Sequence, residues 1–407
     1  MSVSASERTA AGEPVLAVED LHITVAGGRH EAVRDVSFTV RAGEAVGVVG
    51  ESGSGKTLTC RSLLGVLPPG CAVSSGSARL DGTELTSLSA RSWEKLRGVT
   101  LGAVFQDPAS YLNPSLTVGR QLAEPLRVRL GLGRTQAHAR AVELFGSVGL
   151  RRPDDVFHRY PHELSGGMLQ RVLIAIAVAC DPRLLVADEA TTALDTVVQA
   201  EVLDLLARLR DERGLALLLV THDLAVVAEV TDRVLVFYAG EIVEDAPTAD
   251  LVRRPAHPYT AALLDVASAG DWNRRDLAVI PGRPPEPGTA GAGCRFADRC
   301  AFAQARCRTE PVPLTTADDG RRVRCLRAAE LAGVLAGQPT EEQDEFGSGD
   351  DAGSGADDAD TGTRAEERGG PQAGPAAGSS ADSSTDSPTS SDTASDTDPH
   401  AYEEVHA

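Results

Sequence analysis

Residues 16–25 and 36–40 alternate apolar and polar positions on either side of Gly27-Gly28, the pattern of a half-buried antiparallel pair. Ala45 to Val49 is apolar without a break and reads as a buried strand, after which residues 58–67 switch to helical spacing. A short strand at 77–80, the Asp81-Gly82 turn, a helix near 89–96 and a strand at 99–105 follow. Residues 118–130, 135–148 and 167–180 are helical by period and composition and form a predominantly helical insert. The apolar strand 183–187 runs into Asp188-Glu189. A helix at 197–210, a strand at 216–220, a hairpin of 234–238 with 241–245 about Ala239-Gly240, and a helix at 259–267 complete the pattern. Strands alternating with helices predict an α/β fold.

Between the buried strand and the first helix lies Gly50-Glu51-Ser52-Gly53-Ser54-Gly55-Lys56-Thr57, which has the spacing G-x-x-x-x-G-K-[ST] of a phosphate-binding loop. Its glycines let backbone N–H groups turn inward around phosphates, and the following helix adds positive potential. Lys56 supplies a fixed cation, and the Thr57 hydroxyl suits Mg²⁺. A glycine- and serine-rich turn that holds nothing is the alternative, but strand, loop, lysine and helix fall in register as the motif requires.

Four further positions stand at element ends. Gln106 closes a strand, where its amide can reach a metal or a water, although by spacing alone it is an ordinary surface glutamine. Leu164-Ser165-Gly166-Gly167 opens a helix and offers a second anion site, or simply a cap. Asp188 and Glu189 end a buried strand. One carboxylate there can position Mg²⁺ while the other orients or deprotonates a water, against the reading as a solvated turn. His222 also ends a strand, a place where histidine is more often structural than catalytic.

Length and charge refine the picture. At 407 residues the chain exceeds the size at which a single core keeps growing, so about two domains and appendages are expected. The net charge of −20 is concentrated at the end, because residues 338–407 carry 18 Asp and Glu against Arg364 and Arg368. The remainder is near −4, shows no basic stripe, and predicts no nucleic-acid partner. No apolar run approaches the ~20 residues of a membrane span, and residues 1–14 are polar without a signal-like core. The expected setting is reducing, where the seven cysteines serve as thiols or metal ligands rather than disulfides.

In order and spacing these motifs resemble the ATP-binding subunit of an ABC transporter over residues 16–252, and 164–171, LSGGMLQR, is the most specific element. The resemblance implies a P-loop NTPase core with an antiparallel β subdomain and a helical subdomain. By motif, Gln106 is similar to the glutamine that touches Mg²⁺ and senses a membrane partner. Leu164, Ser165, Gly166, Gly167, Met168 and Gln170 resemble the signature that closes over ATP bound to the opposite subunit. Asp188 resembles the metal carboxylate, Glu189 the general base, Asp195 the D-loop aspartate, and His222 the histidine at the γ-phosphate. Mg²⁺ would thus meet Thr57, Gln106 and Asp188. Ala190 replaces the family's usual proline, and the adenine-stacking aromatic expected near Val25 is missing, leaving Val25, Arg29 or His30 as platforms.

LSGGMLQRV, ADEATTALD at 187–195 and PAHPYT at 255–260 resemble the oligopeptide and dipeptide importer branch, with nickel importers sharing the same strings. That implies a peripheral protein on the cytoplasmic face of the membrane, paired with a similar but nonidentical ATPase, two permease subunits and, indirectly, an extracytoplasmic binding protein. A soluble ABC ATPase acting outside transport is the alternative, although neither a second cassette nor a long coiled coil is seen.

Beyond the rigid Pro281-Gly282-Arg283-Pro284-Pro285 loop, Cys294, Cys300, Cys307 and Cys325 are spaced C-x5-C-x6-C-x17-C, with gaps longer than zinc pairs favour. Four thiolates can hold an iron–sulfur cluster, or the cysteines meet no metal at all. The branch carries the same four cysteines, similar to ones proposed to bind [4Fe–4S]. Cys60, Cys71 and Cys180 read as incidental thiols. The expected divisions are a disordered 1–14, an ATP-binding domain at 15–256 with its helical part near 107–180, a four-cysteine extension at 257–335, and a disordered acidic tail at 336–407.

Overall fold

A computed structural model describes residues 14–190, 195–268 and 280–335. Residues 1–13 of the N-terminus expected to be disordered over 1–14, residues 191–194 of the acidic-strand string and the acidic tail lie outside the described residues.

Strands β1 (Leu16–Val25), β2 (His30–Val40), β3 (Ala45–Val49), β4 (Ala72–Leu80), β5 (Thr83–Glu84) and β6 (Leu101–Val104) precede the helical insert. After it come β7 (Leu184–Asp188), β8 (Ala216–Val220), β9 (Arg233–Tyr238), β10 (Glu241–Pro247), β11 (Thr315–Thr316) and β12 (Arg322–Val323). A four-stranded antiparallel sheet runs β2-β1-β4-β5, and an eight-stranded sheet runs β11-β12-β10-β9-β3-β8-β7-β6. The centre of the larger sheet is parallel from β9 through β6. Every residue of β3, β7 and β8 is buried, as unbroken apolar runs covered on both faces must be.

Helices Val118–Leu130, Arg134–Ser147 and Gly166–Ala177 make the insert. Leu122, Leu126, Ala141 and Phe145 share one core with Val104, Leu185 and Leu217 of the sheet, so the insert is packed onto the sheet rather than hung from it. The helices Leu224–Val230 and Thr248–Arg253 were not anticipated, because each is under two turns and shows little period of its own.

The four-cysteine segment is more integrated than an appended piece. Strand β12 pairs antiparallel with β10 and extends the main sheet, with β11 at its edge. Arg324, buried, donates to the carbonyls of Ile242 (3.1 Å) and Val312 (3.0 Å) and to the Asp35 carboxylate (2.8 Å). Tyr259 and Phe296 pack on Tyr238 with ring centroids 4.6 and 5.1 Å away.

His257 joins the cassette to this segment. Its backbone N–H donates to Glu244 Oε2 (2.9 Å), and its Nδ1 accepts from the Tyr259 N–H (3.0 Å), which places the ring proton on Nε2 of a neutral imidazole. The ring is fully buried, and burial pushes its pKa down to about 3. Between the ordinary histidine value and about 3 the unfolded chain therefore binds a proton that the folded chain refuses. The stability from this site is complete above that window and is lost as pH falls through it. In urea titrations from pH 6 to pH 4, His257→Gln should lower the dependence of unfolding free energy on pH by about 1.4 kcal/mol per pH unit. An unchanged slope would show that the imidazole is not held neutral.

Candidate functional site

The phosphate loop is shaped by what surrounds it. Gly50 has φ +149°, and a β-carbon there would lie 2.1 Å from the Phe237 carbonyl oxygen. Gly55, at φ +98°, caps the helix Lys56–Leu63, and a β-carbon on it would meet Gly240 Cα at 3.2 Å. Only glycine fits both turns. The Gly240 N–H donates to the Ser54 carbonyl (2.8 Å), tying the loop to the β9–β10 turn. Lys56 is buried, and its Nζ donates to the carbonyls of Gly50 (2.7 Å) and Glu51 (2.9 Å). Burial lowers its pKa, while Glu189 and Asp188 act in the opposite direction.

Next to the loop is a cleft of about 270 Å³ lined by Thr57, Arg61, Phe105, Gln106, Asp107, Ser110, Tyr111, Asp188 and Glu189. Thus Thr57, Gln106, Asp188 and Glu189, far apart in the chain, meet in one place. The Asp188 carboxyl hydrogen-bonds the Thr57 hydroxyl, and burial raises its pKa, with Arg61 the leading opposing charge. Asp188 Oδ1 is buried and has no hydrogen-bond partner among the described residues. An orphaned carboxylate oxygen beside a threonine hydroxyl is the donor set a hard, oxygen-seeking cation requires, so the residues fit Mg²⁺. Arg61 is the residue the spacing did not reveal, since it faces the cleft one helical turn beyond Thr57.

Glu189 lies at φ +51°, a left-handed turn for a residue with a side chain, and its N–H donates to the Val220 carbonyl (2.9 Å). The turn separates two neighbouring acids. Asp188 is buried toward Thr57, whereas Glu189 is a quarter exposed with Oε1 3.9 Å from His222 Nδ1.

Ser165 caps the helix Gly166–Ala177 through its Oγ, which accepts from the Met168 N–H at 3.4 Å. Ser165 and Gly166 are exposed, Gly167 and Met168 half-buried, and Leu164 and Gln170 are in the interior. None of the residues 164–170 lines the cleft beside Lys56. Asp195 caps the helix Thr196–Arg213, its Oδ1 accepting from the Val198 N–H (2.9 Å). Of the base platforms, Arg29 is turned back onto the Ala26 carbonyl (3.0 Å), and exposed His30 has Gly288 of the four-cysteine segment against it.

Cys294, Cys300, Cys307 and Cys325 line one small cavity with His257, Phe296 and Leu331, and none forms a disulfide. Burial pushes the Cys294 thiol up to about 12 and raises Cys300 and Cys325. Among the described residues, the set of three ligand-bearing side chains whose donor atoms all lie within 4.8 Å of one another is His138, Asp154 and His158, on the helical insert. No three of the four cysteine sulfurs come that close together. A tetrahedral zinc site, with Zn–S of about 2.3 Å, needs sulfurs under about 4 Å apart.

A buried parallel sheet with a lysine-bearing phosphate loop and paired acids at its edge defines an ATP-hydrolysing P-loop cassette. Comparison with known proteins gives the same class and narrows it. The ABC transporter family matches residues 33–192, and the family described as oligopeptide/dipeptide transporter, C-terminal region, matches residues 243–307. The oligopeptide transport ATP-binding protein AppD of Bacillus subtilis is 45% identical over 296 residues, 72% of this chain and 90% of its own length. The oligopeptide transport ATP-binding protein OppD of Mycobacterium bovis is 46% identical over 325 residues, 79% of this chain and 53% of its own. The dimeric bacterial ABC transporter cassette MJ0796 superposes with a TM-score of 0.52 at 27% identity, covering 57% of this chain and 98% of that one. The chain belongs to the ABC transporter ATP-binding proteins, in the group that carries the oligopeptide/dipeptide transporter C-terminal region. It is an ATPase of an ABC importer and uses ATP and Mg²⁺.

The geometry of Gly50 gives a direct check. Gly50→Ala forces a strained backbone, of order 1–3 kcal/mol, and drives a methyl into the Phe237 carbonyl. MgATP affinity, read by titration of a fluorescent nucleotide, should fall about 10-fold or more. Wild-type affinity in that variant would mean the loop is not held as described.

Proposed function

We propose that this chain powers uptake of peptides through separate membrane permeases, with two ATP molecules held between it and a second, homologous cassette. One observation carries the reading: Thr57, Gln106, Asp188 and Glu189 share a cleft beside Lys56, while the Ser165-Gly166 cap is exposed elsewhere on the same chain. A cap that misses its own phosphate loop can serve another protomer's. The dimeric state named for MJ0796 and the oligopeptide transport named for AppD and OppD support the partner and the cargo. Among the described residues no helix is long and apolar enough to cross a membrane.

In this reading the backbone N–H groups of Gly50 to Thr57 and the Lys56 ammonium hold the β- and γ-phosphates, with Glu51 to Ser54 forming the turn. Thr57, Gln106 and Asp188 would hold Mg²⁺, which neutralises charge on the phosphates when bound. Glu189 orients and deprotonates the attacking water, and His222 supports the γ-phosphate. Leu164 and Gln170 anchor the signature helix from the interior while Ser165, Gly166, Gly167 and Met168 present its N-terminus. Asp195 fixes the start of the neighbouring helix. Gln106 and the segment after it pass closure to the permeases.

The four cysteines would hold a structural iron–sulfur cluster, which supplies cross-linking rather than catalysis. Their convergence on one cavity supports this, and their spread disfavours zinc.

Glu189→Gln should lower ATP turnover about 100-fold or more while MgATP still binds and a closed dimer accumulates on size exclusion. Steady-state hydrolysis at the normal rate would overturn the role of Glu189. Permeases that copurify with a tagged chain would establish the transport assignment, and a chain recovered without them would remove it. Anaerobically purified protein should absorb near about 400 nm and contain iron. A colourless, iron-free and well-folded protein would exclude the cluster.

A further inference from the structure

We propose that Arg299 is a positioning residue for the phosphate loop. Its ion pair with Glu51 fastens the four-cysteine segment to Gly50–Thr57, so that nucleotide affinity depends on the folding of that segment.

The pair is bidentate. Arg299 Nη1 is 2.6 Å from Glu51 Oε2, and Nη2 is 2.8 Å from Oε1. The Arg299 side chain is 5% exposed and that of Glu51 25%. The remaining donors are also used: Nε bonds the Pro281 carbonyl (2.8 Å), Nη2 the Ile280 carbonyl (3.0 Å) and Nη1 the Tyr238 hydroxyl (3.3 Å). The group also lies over the rings of Tyr238 and Phe296, at 5.7 and 5.8 Å from their centroids. A fork so fully bonded has one geometry, which a surface ion pair does not.

Glu51 is held at each of its polar groups. Arg299 takes the carboxylate, the Tyr259 hydroxyl accepts from its N–H (2.9 Å), and Lys56 bonds its carbonyl (2.9 Å). Two of those three partners come from beyond residue 256. The third is the lysine that must meet the phosphates, so displacing Glu51 also displaces what Lys56 rests on. Arg299 immediately precedes Cys300, so whatever orders the cysteines orders the fork.

A second contact agrees with the first. A β-carbon on Gly288 would be 2.5 Å from His30 Nδ1, which places the same segment against the candidate base platform as well. These two contacts of the cysteine segment therefore touch the phosphate loop and the candidate base platform.

The proposal rests on residues 50–57 as the ATP cradle. If the unaltered chain bound no MgATP, that reading would fail, and the coupling would not be what was tested. In the full chain, Arg299→Gln and Glu51→Gln should each raise Kd and KM for MgATP about 10-fold, with kcat of the folded enzyme changed far less. The double variant should be no worse than the more affected single, because one interaction has been removed once. Cys300→Ser should weaken MgATP binding in the unaltered background and add nothing to Arg299→Gln. If Arg299→Gln does not fold, Arg299→Lys and Glu51→Gln give the same readout, since lysine cannot make the fork. A lowered melting temperature with unchanged KM would make Arg299 merely structural and overturn the proposal, as would strictly additive effects in the cycle.

Discussion

The alignment of three parallel strand ends is the constraint on which the site depends. Val220 of β8 pairs with Val48 of β3 on one side and with Asp188 of β7 on the other. The ladder continues past the strands, with the Thr221 N–H donating to the Val48 carbonyl (3.1 Å) and the Glu189 N–H to that of Val220 (2.9 Å). The phosphate loop, the acid pair and His222 therefore leave the sheet at one level. A slip of one residue in β7 would turn Asp188 out of the cleft and bury its neighbour.

Given that alignment, chemistry is divided by burial. Asp188 and Glu189 are the same kind of group at adjacent positions, yet the left-handed turn at Glu189 sends one into the interior beside Thr57 and leaves the other near His222 and solvent. A buried carboxylate that lacks a partner at one oxygen is poorly solvated and gains from a cation. A partly exposed one beside an imidazole can accept a proton from water. The strain of a non-glycine left-handed residue is of order 1–3 kcal/mol, and it accompanies this difference in burial between the two acids.

Much of this could be read along the chain because the signals are local. The loop 50–57 carries its own spacing, β8 coincides with the strand that the apolar run 216–220 predicts, and the helix expected at 118–130 is Val118–Leu130, capped by Thr117 and closed by Gly131. What escaped were features made by partners distant in sequence. Strands β11 and β12 have two residues each and exist only because β10 offers an edge. The short helices at 224–230 and 248–253 are stabilised by packing rather than by a period. Arg61 and Arg299 look like any surface arginine in the sequence. Their roles come from the acids that the fold brings to them, Asp188 and Glu51, over 100 residues from each.

Those arginines also explain how a segment with few large apolar residues stays fixed to the cassette. Besides the fork on Glu51, Arg322 Nε reaches Asp245 Oδ2 (3.0 Å) and its Nη2 the Ser37 carbonyl (2.8 Å), while Arg324 reaches Asp35 and two further carbonyls. The Arg295 side chain, 7% exposed, stands 3.4 Å from Glu241 and bonds the Ala239 carbonyl. A hydrophobic contact tolerates sliding, whereas planar forks on fixed carboxylates and carbonyls specify both distance and direction. Loss of one such partner leaves a buried charge uncompensated, so the docked arrangement is favoured over partly detached ones. The four-cysteine segment thus sits on the cassette in one arrangement, bonded to the phosphate loop through Glu51 by a fork that leaves it little room to slide.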